Sequence, residues 1–230
     1  MTDRDALKQA AGVQAAEWVD SGMVVGLGTG STAIHAITAV GVRIAEGSLT
    51  GVVAIPTSKA SADAAEELGI PLGSLADHPV IDLTIDGADE VDPDLRLIKG
   101  GGAALLHEKV VAQASLREVI VVDDAKCSER LGTRCALPVE VLAFGWRPES
   151  EYLDDLGADV TLRRGPYDEP LVTEEGNWIL DAAFGPIADP ERLAALLDRR
   201  AGVVAHGLFL GLATDLLVAG ADGVEHRPAL

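Results

Sequence analysis

The stretch 23-MVVGLGTGSTAIHAITAV-40 decides how the rest of the chain is read. Met23–Gly28 is a short β-branched apolar run ending in glycines, and beyond it Ala33, Ile37 and Val40 fall on one helical face. Strand, glycine turn, helix is therefore the predicted order. The same alternation continues outward. Val52–Thr57 predicts a second strand and Ser58–Gly69 a second helix, with Gly69 as its C-terminal stop. Val80–Ile85 predicts a third strand, Ala103–Leu116 a further helix, and Val119–Asp124 a fourth strand. Upstream, Leu7, Ala11, Ala15 and Trp18 have helical spacing. Continuous apolar strands alternating with helices indicate a parallel sheet covered on both faces.

From about Gly132 the pattern changes. Strands are predicted at Pro138–Phe144, Ala158–Arg164, Trp178–Phe184 and Gly202–Phe209, with helices at Glu149–Leu156 and Pro190–Arg200. This β-α-β-β-α-β order is the split arrangement of a ferredoxin-like unit. The expected fold is α/β: a Rossmann-like parallel-sheet domain (1–131 plus 206–230) with a smaller inserted ferredoxin-like α+β domain (132–205). Asp215–Gly220 and the turn at 221–223 are expected to return the chain to the first sheet.

Composition limits the partners. Hydrophobic residues make up 48% and the mean hydropathy is positive, as in a globular chain. The longest apolar runs are strand-length, too short to span a bilayer, and the N-terminal segment MTDRDALKQA shows no apolar signal region. A cytoplasmic, membrane-free protein is expected. Cys127 and Cys135 stand apart from any cluster at metal spacing, and the five histidines show no ligand spacing, so no metal is expected. The formal charge is −19, with acids spread along the chain and only five lysines. So acidic a surface repels nucleic acid and anionic membranes. It also suits high intracellular salt, where ions screen self-repulsion.

In parallel sheets, ligands bind beyond the carboxyl ends of the strands. Here those positions are Thr29–Thr32, Ser58–Lys59, Asp86–Asp89 and Asp123–Lys126. The loop Thr29-Gly30-Ser31-Thr32 offers backbone N–H groups at a helix start together with hydroxyls, a cradle for a phosphate. It lacks the third glycine of a dinucleotide fingerprint and the lysine of a P-loop, so it suits the terminal phosphate of a small molecule. Asp86 and Asp89 flank Gly87-Ala88 at a strand end, where either could exchange protons with sugar hydroxyls, or simply form the turn. Glu90, Asp92 and Asp94 read as solvated surface.

Lys99 precedes Gly100, Gly101 and Gly102, where backbone can approach a ligand and an ammonium can stabilise developing oxygen charge. Lys126 is a phosphate candidate on the same reasoning, and Lys8 and Lys59 are weaker ones. At about 100° per residue, the core face of the helix carries Leu106, Val110 and Ala114. Glu108 then points away from that core, toward a cleft or toward solvent. In the first case it is a candidate general base.

Taken together, GLGTGSTA, DGADEVD, KGGGAALLHEK, Asp123–Lys126, LPVEV, EGNWILD, GVVAHGLF and LVAGADGV closely resemble ribose-5-phosphate isomerase of the A type over nearly the whole chain. The acidic, lysine-poor character resembles haloarchaeal members. The resemblance implies interconversion of ribose 5-phosphate and ribulose 5-phosphate through a cis-enediolate, without metal or organic cofactor, by a homodimer or homotetramer. It implies that Thr29–Thr32, Lys126 and Lys8 hold the phosphate, and that Asp86–Asp89 and Lys99–Gly102 line the sugar. Glu108 becomes the proton acceptor, Lys99 a stabiliser of the enediolate and Asp86 a carrier of hydroxyl protons. His107 replaces a residue often basic in the family. The competing readings are a non-catalytic sugar-phosphate sensor and an amino-sugar-phosphate isomerase or deaminase; turnover of ribose 5-phosphate separates them.

Overall fold

A computed structural model describes residues 4–229, which form two compact units. The first comprises residues 4–88, 107–126 and 211–229. Its sheet has six strands, numbered along the chain: β1 (Val24–Leu27), β2 (Val53–Pro56), β3 (Leu83–Asp86), β6 (Glu118–Asp123), β12 (Asp215–Gly220) and β13 (Gly223–Pro228). Their order is β13-β12-β6-β3-β1-β2, all parallel except the last hairpin strand β13. The sequence reading ends the sheet at β12 and misses β13, a mostly exposed strand with little apolar pattern to betray it.

Alternation along these strands splits the core between the two faces. Val25, Leu27, Leu83, Ile85, Val119, Val121 and Leu217 pack on one face with Ala11, Ala15, Ile37 and Val40. Those last four come from α1 (Arg4–Ala16) and α2 (Ala33–Ala45). Ile55 and Ile81 pack on the other face with Val111 of α4 (Leu105–Ala114). Each such buried Val, Leu or Ile side chain stabilises the fold by roughly 1.5–3 kcal/mol. Between the second and third strands runs α3 (Lys59–Glu67), started by a reciprocal Ser58–Ser61 capping box and stopped by Gly69 at φ +68°.

The second unit comprises residues 89–106 and 127–210. Its four-stranded antiparallel sheet has the order β10-β7-β9-β8, built from β7 (Leu137–Val141), β8 (Asp159–Leu162), β9 (Trp178–Ala183) and β10 (Val203–His206). Helices α5 (Trp146–Asp155) and α6 (Pro190–Leu197) place Leu153, Leu193 and Leu197 against Val139, Val141 and Leu180. This is the ferredoxin-like connectivity expected from the sequence.

A second, three-stranded sheet joins β4 (Glu90–Val91), β5 (Leu97–Ile98) and β11 (Leu208–Phe209). The single strand expected at Gly202–Phe209 is thus two strands in two sheets. Gly207 makes the switch: its N–H donates to Pro138 O (2.7 Å) and its carbonyl accepts from Lys99 N (2.9 Å). A Cβ there would lie 2.3 Å from Lys99 O, so only glycine lets the strands meet.

Candidate active site

The first sheet reverses its strand order at β1, with β2 on one side and β3 on the other. The crevice outside the carboxyl ends of β1 and β3 is the site that such topology creates for ligands. The two strands approach so closely that a Cβ on Gly28 would sit 2.2 Å from Asp86 Oδ1. Asp86, fully buried at the end of β3, uses that oxygen to accept from Thr29 N (3.1 Å) and Gly87 N (2.7 Å). Its carboxylate therefore joins the two loops, and fixes where the chain turns after β1.

The Thr29 hydroxyl is 2.8 Å from Thr57 Oγ1 and donates to Ser58 Oγ (2.7 Å), which binds the loop to the exit of β2. Thr57 is completely buried and was not singled out in the sequence; nothing in its pattern separates it from an ordinary strand-end threonine. Thr29 thus acts as an anchor, leaving Gly30, Ser31 and Thr32 as the outer part of the cradle. Gly30 has φ +112°, and the Thr32 side chain does not cap α2. Ile34 N and His35 N donate to the backbone carbonyls of Gly30 (3.1 Å) and Thr32 (3.2 Å), and with no side-chain cap the positive end of the helix still faces outward, which favours an anion. Lys8 reaches the same loop, donating to Ser31 Oγ at 2.9 Å. Lys126 lies in the short 3-10 turn Asp124–Lys126 beyond β6, the strand next to β3, and so at the same sheet edge. Lys59 stands apart from this group: it is exposed and pairs with Asp63 (2.8 Å).

In the second unit, Lys99 follows β5 and is 2% exposed, with Nζ 5.6 Å from the centre of the Phe209 ring. The segment after it turns through Gly100 (φ +108°) to Ala103 (φ +63°), with Ala103 N donating to Gly100 O (3.0 Å). Asp89 Oδ2 accepts from Gly101 N (2.7 Å), and a Cβ on Gly101 would come within 2.7 Å of that carboxylate. The two aspartates of DGAD therefore do separate work. Asp86 organises the loop after β1, and Asp89 the glycine segment. Gly100 O also accepts from Arg163 Nη1 (2.7 Å), a contact no sequence pattern announced.

Glu108 sits in the first turn of α4 and is 5% exposed. The helix face differs from the expected one. Leu105, Glu108, Val111 and Ala112 are buried, whereas Val110 is 41% exposed. Glu108 is on the buried face, not opposite it. The buried face lies roughly on the other side of the helix from Leu106, Val110 and Ala114; at its start Leu105, itself part of the second unit, is fully buried in one cluster with Ile179 and Ala205. His107 instead lines an apolar cavity with Ile55, Pro56, Leu75 and Val110.

Glu90 and Asp92, expected at the surface, are buried. Glu90 accepts from Ser128 Oγ (2.6 Å) and from the N–H groups of Gly132, Thr133 and Arg134 (3.0–3.2 Å). Asp92 accepts from Arg96 Nε (2.7 Å) and from Asp94 N and Arg96 N (3.0 Å each). Both carboxylates replace water with several donors, which is what allows a charge inside a fold.

Comparison with known proteins gives one consistent result. The family model described as Ribose 5-phosphate isomerase A (phosphoriboisomerase A) matches residues 53–223. A ribose-5-phosphate isomerase A of Desulfatibacillum aliphaticivorans is 53% identical over 229 residues, covering 100% of both chains. Among solved structures, a D-ribose-5-phosphate isomerase in complex with phospho-erythronic acid superposes with a TM-score of 0.97 at 36% identity, covering 99% of this chain and 100% of that one. The ribose 5-phosphate isomerase A of Methanocaldococcus jannaschii gives 0.93 at 36% identity, covering 98% and 100%.

Proposed function

We infer the reaction from kinship: the chain belongs to the ribose 5-phosphate isomerase A family, and it interconverts ribose 5-phosphate and ribulose 5-phosphate. The observation that carries the chemistry furthest is the burial of Glu108, at 5% exposure, on the helix that follows the glycine segment. Glutamate is seldom buried unless it is paired or functional. In our reading Glu108 takes the proton from C2 of the open-chain aldose and returns it to C1. The intermediate is a cis-enediolate.

Lys99 and the peptide N–H groups of Gly100 and Gly102, that of Gly101 being held by Asp89, stabilise the charge that develops on the two oxygens, the role of preorganised donors in a site poor in water. Asp86 carries the proton that must pass between the hydroxyls, and assists opening of the sugar ring. The phosphate is held at Gly30–Thr32, with Lys8 and Lys126 supplying positive charge. Anchored there, the substrate presents C1 and C2 in a fixed position, so binding energy at the far end lowers the barrier at the reacting carbons.

Support for the phosphate assignment comes from the start of α2, where Thr32 makes no side-chain cap, and from the Lys8–Ser31 contact. Phosphosugars do not cross membranes unaided, and among the described residues no helix is long and apolar enough to span one. From the family resemblance we read the protein as a cytoplasmic homodimer or homotetramer.

Purified protein mixed with ribose 5-phosphate in the presence of a chelator should form ketopentose phosphate, read by its absorbance or by proton NMR. Binding of the sugar phosphate without turnover would overturn the assignment.

A further inference from the structure

Arg163 immediately follows β8, and its backbone is fixed on both sides: its N–H donates to Ile179 O and its carbonyl accepts from Leu171 N, each at 2.9 Å. Its guanidinium is divided between two tasks. Nε donates to Asp181 Oδ2 (2.9 Å) and Nη2 to Asp181 Oδ1, a bidentate pair with a carboxylate on β9. Nη1 faces away from that pair and donates to Gly100 O (2.7 Å) and Gly101 O (3.3 Å). Only 16% of the Arg163 side chain is exposed.

Across a planar trans peptide the carbonyl and the N–H point in opposite directions. Turning the carbonyls of Gly100 and Gly101 toward Arg163 therefore turns the N–H groups of Gly101 and Gly102 to the other side. The Gly101 N–H does point there, meeting Asp89 Oδ2 at 2.7 Å. The segment also passes through left-handed backbone at Ala103, a conformation that costs free energy and persists only when its surroundings hold it. A guanidinium on the carbonyl side supplies that hold. It also polarises the peptides, strengthening their N–H groups as donors.

We propose that Arg163, locked by Asp181, is a positioning residue for the isomerisation: it sets the direction and strength of the Gly102 N–H that meets the enediolate, and keeps the Gly101 N–H on Asp89. The proposal rests on the reading above, in which Gly100–Gly102 face the sugar. Arg163 itself touches no reacting atom. Its loss should lower kcat more than it alters KM, because the glycine donors matter most when negative charge has formed.

The test uses Arg163→Met, Arg163→Ala, Arg163→Lys and Asp181→Asn in the full chain, with Glu108→Gln alongside. Arg163→Met should lose kcat about 10- to 100-fold, less than the roughly 10²–10³-fold cost of removing an oxyanion donor outright, while KM for ribose 5-phosphate changes little. Affinity for phospho-erythronic acid, whose carboxylate resembles the charged enediolate, should fall by the same factor as kcat; inhibition by inorganic phosphate should not change. Arg163→Lys keeps the charge but cannot grip a carboxylate and a carbonyl together, so it should recover only part of the rate. Added guanidinium ion should partly restore Arg163→Ala, which a merely unfolded variant would not allow.

A kcat near wild type for Arg163→Met, or a rise in KM at constant kcat, overturns the proposal. So does a fall in kcat with undiminished affinity for phospho-erythronic acid. If Arg163→Met fails to fold, Arg163→Lys and Asp181→Asn decide by the same criteria. A wild-type rate in Glu108→Gln would instead indict the reading of the site, whereas an inactive Glu108→Gln beside fully active Arg163 variants removes only the role of Arg163.

Discussion

Glu108 shows how much the choice of helix face can matter. A core face drawn through Leu106, Val110 and Ala114 sends Glu108 to a cleft or to solvent, yet the buried face runs through Leu105, Glu108, Val111 and Ala112. The misreading arose because a run of small and apolar residues around Gly102–Leu106 offers two almost equally apolar faces, and only tertiary contacts of Leu105 choose between them. Glu108→Gln keeps the size and most of the hydrogen bonding but cannot accept a proton. Its kcat should fall by about 10²–10⁴-fold, the usual contribution of a positioned base, with KM within a few-fold. Steady-state assays in both directions measure this; an unchanged rate would remove Glu108 from the mechanism. Glu90 and Asp92 make the complementary point. Sequence presents them as members of an acidic run, and only the folded chain supplies the donors that bring each carboxylate inside.

Among the secondary-structure elements, strand ends carry most of the consequence. The loops after β1, β3 and β6 share one sheet edge because those strands are parallel, and the chemistry-bearing segments already stood at their ends in the sequence. The opposite end of the sheet has its own device. Asp215 at the start of β12 accepts from Arg117 Nε (2.7 Å) and Nη2 (2.9 Å) and from Thr214 Oγ1 (2.8 Å), and lies 2.7 Å from His226 Nε2 on β13. Hydrogen bonds from Arg117 foremost, then those from Thr214 and His226, hold its carboxyl down to about 2 against burial, which acts the other way. A folded-state value below the unfolded one means that ionised Asp215 stabilises the fold above about pH 4, and that this contribution drains away as the pH falls toward 2. Denaturant unfolding of wild type and Asp215→Asn should differ clearly at pH 6, with the gap closing at pH 2–3. A gap independent of pH would show that the clamp acts by packing alone.

For the whole molecule the dominant quantity is a net charge of −19, with 37 acids against 18 bases. Repulsion of this kind is screened within about 10 Å at 0.1 M salt and within about 3 Å at 1 M. Melting temperature should therefore rise as potassium chloride is raised from dilute buffer to molar concentration; maximal stability in dilute buffer would contradict the salt-adapted reading. What the sequence determined unaided was the α/β class, the ferredoxin-like connectivity and the convergence of glycine turns and acids at strand ends. These depend on local period and on turn chemistry, which neighbouring residues specify. Tertiary structure alone decided the hairpin strand β13, the passage between sheets at Gly207, the inward face of α4 and the grip of Arg163 on the glycine segment. Each depends on contacts between residues far apart in the chain. The Gly100 carbonyl and Arg163 are 63 positions apart, and no local pattern in either segment encodes their meeting.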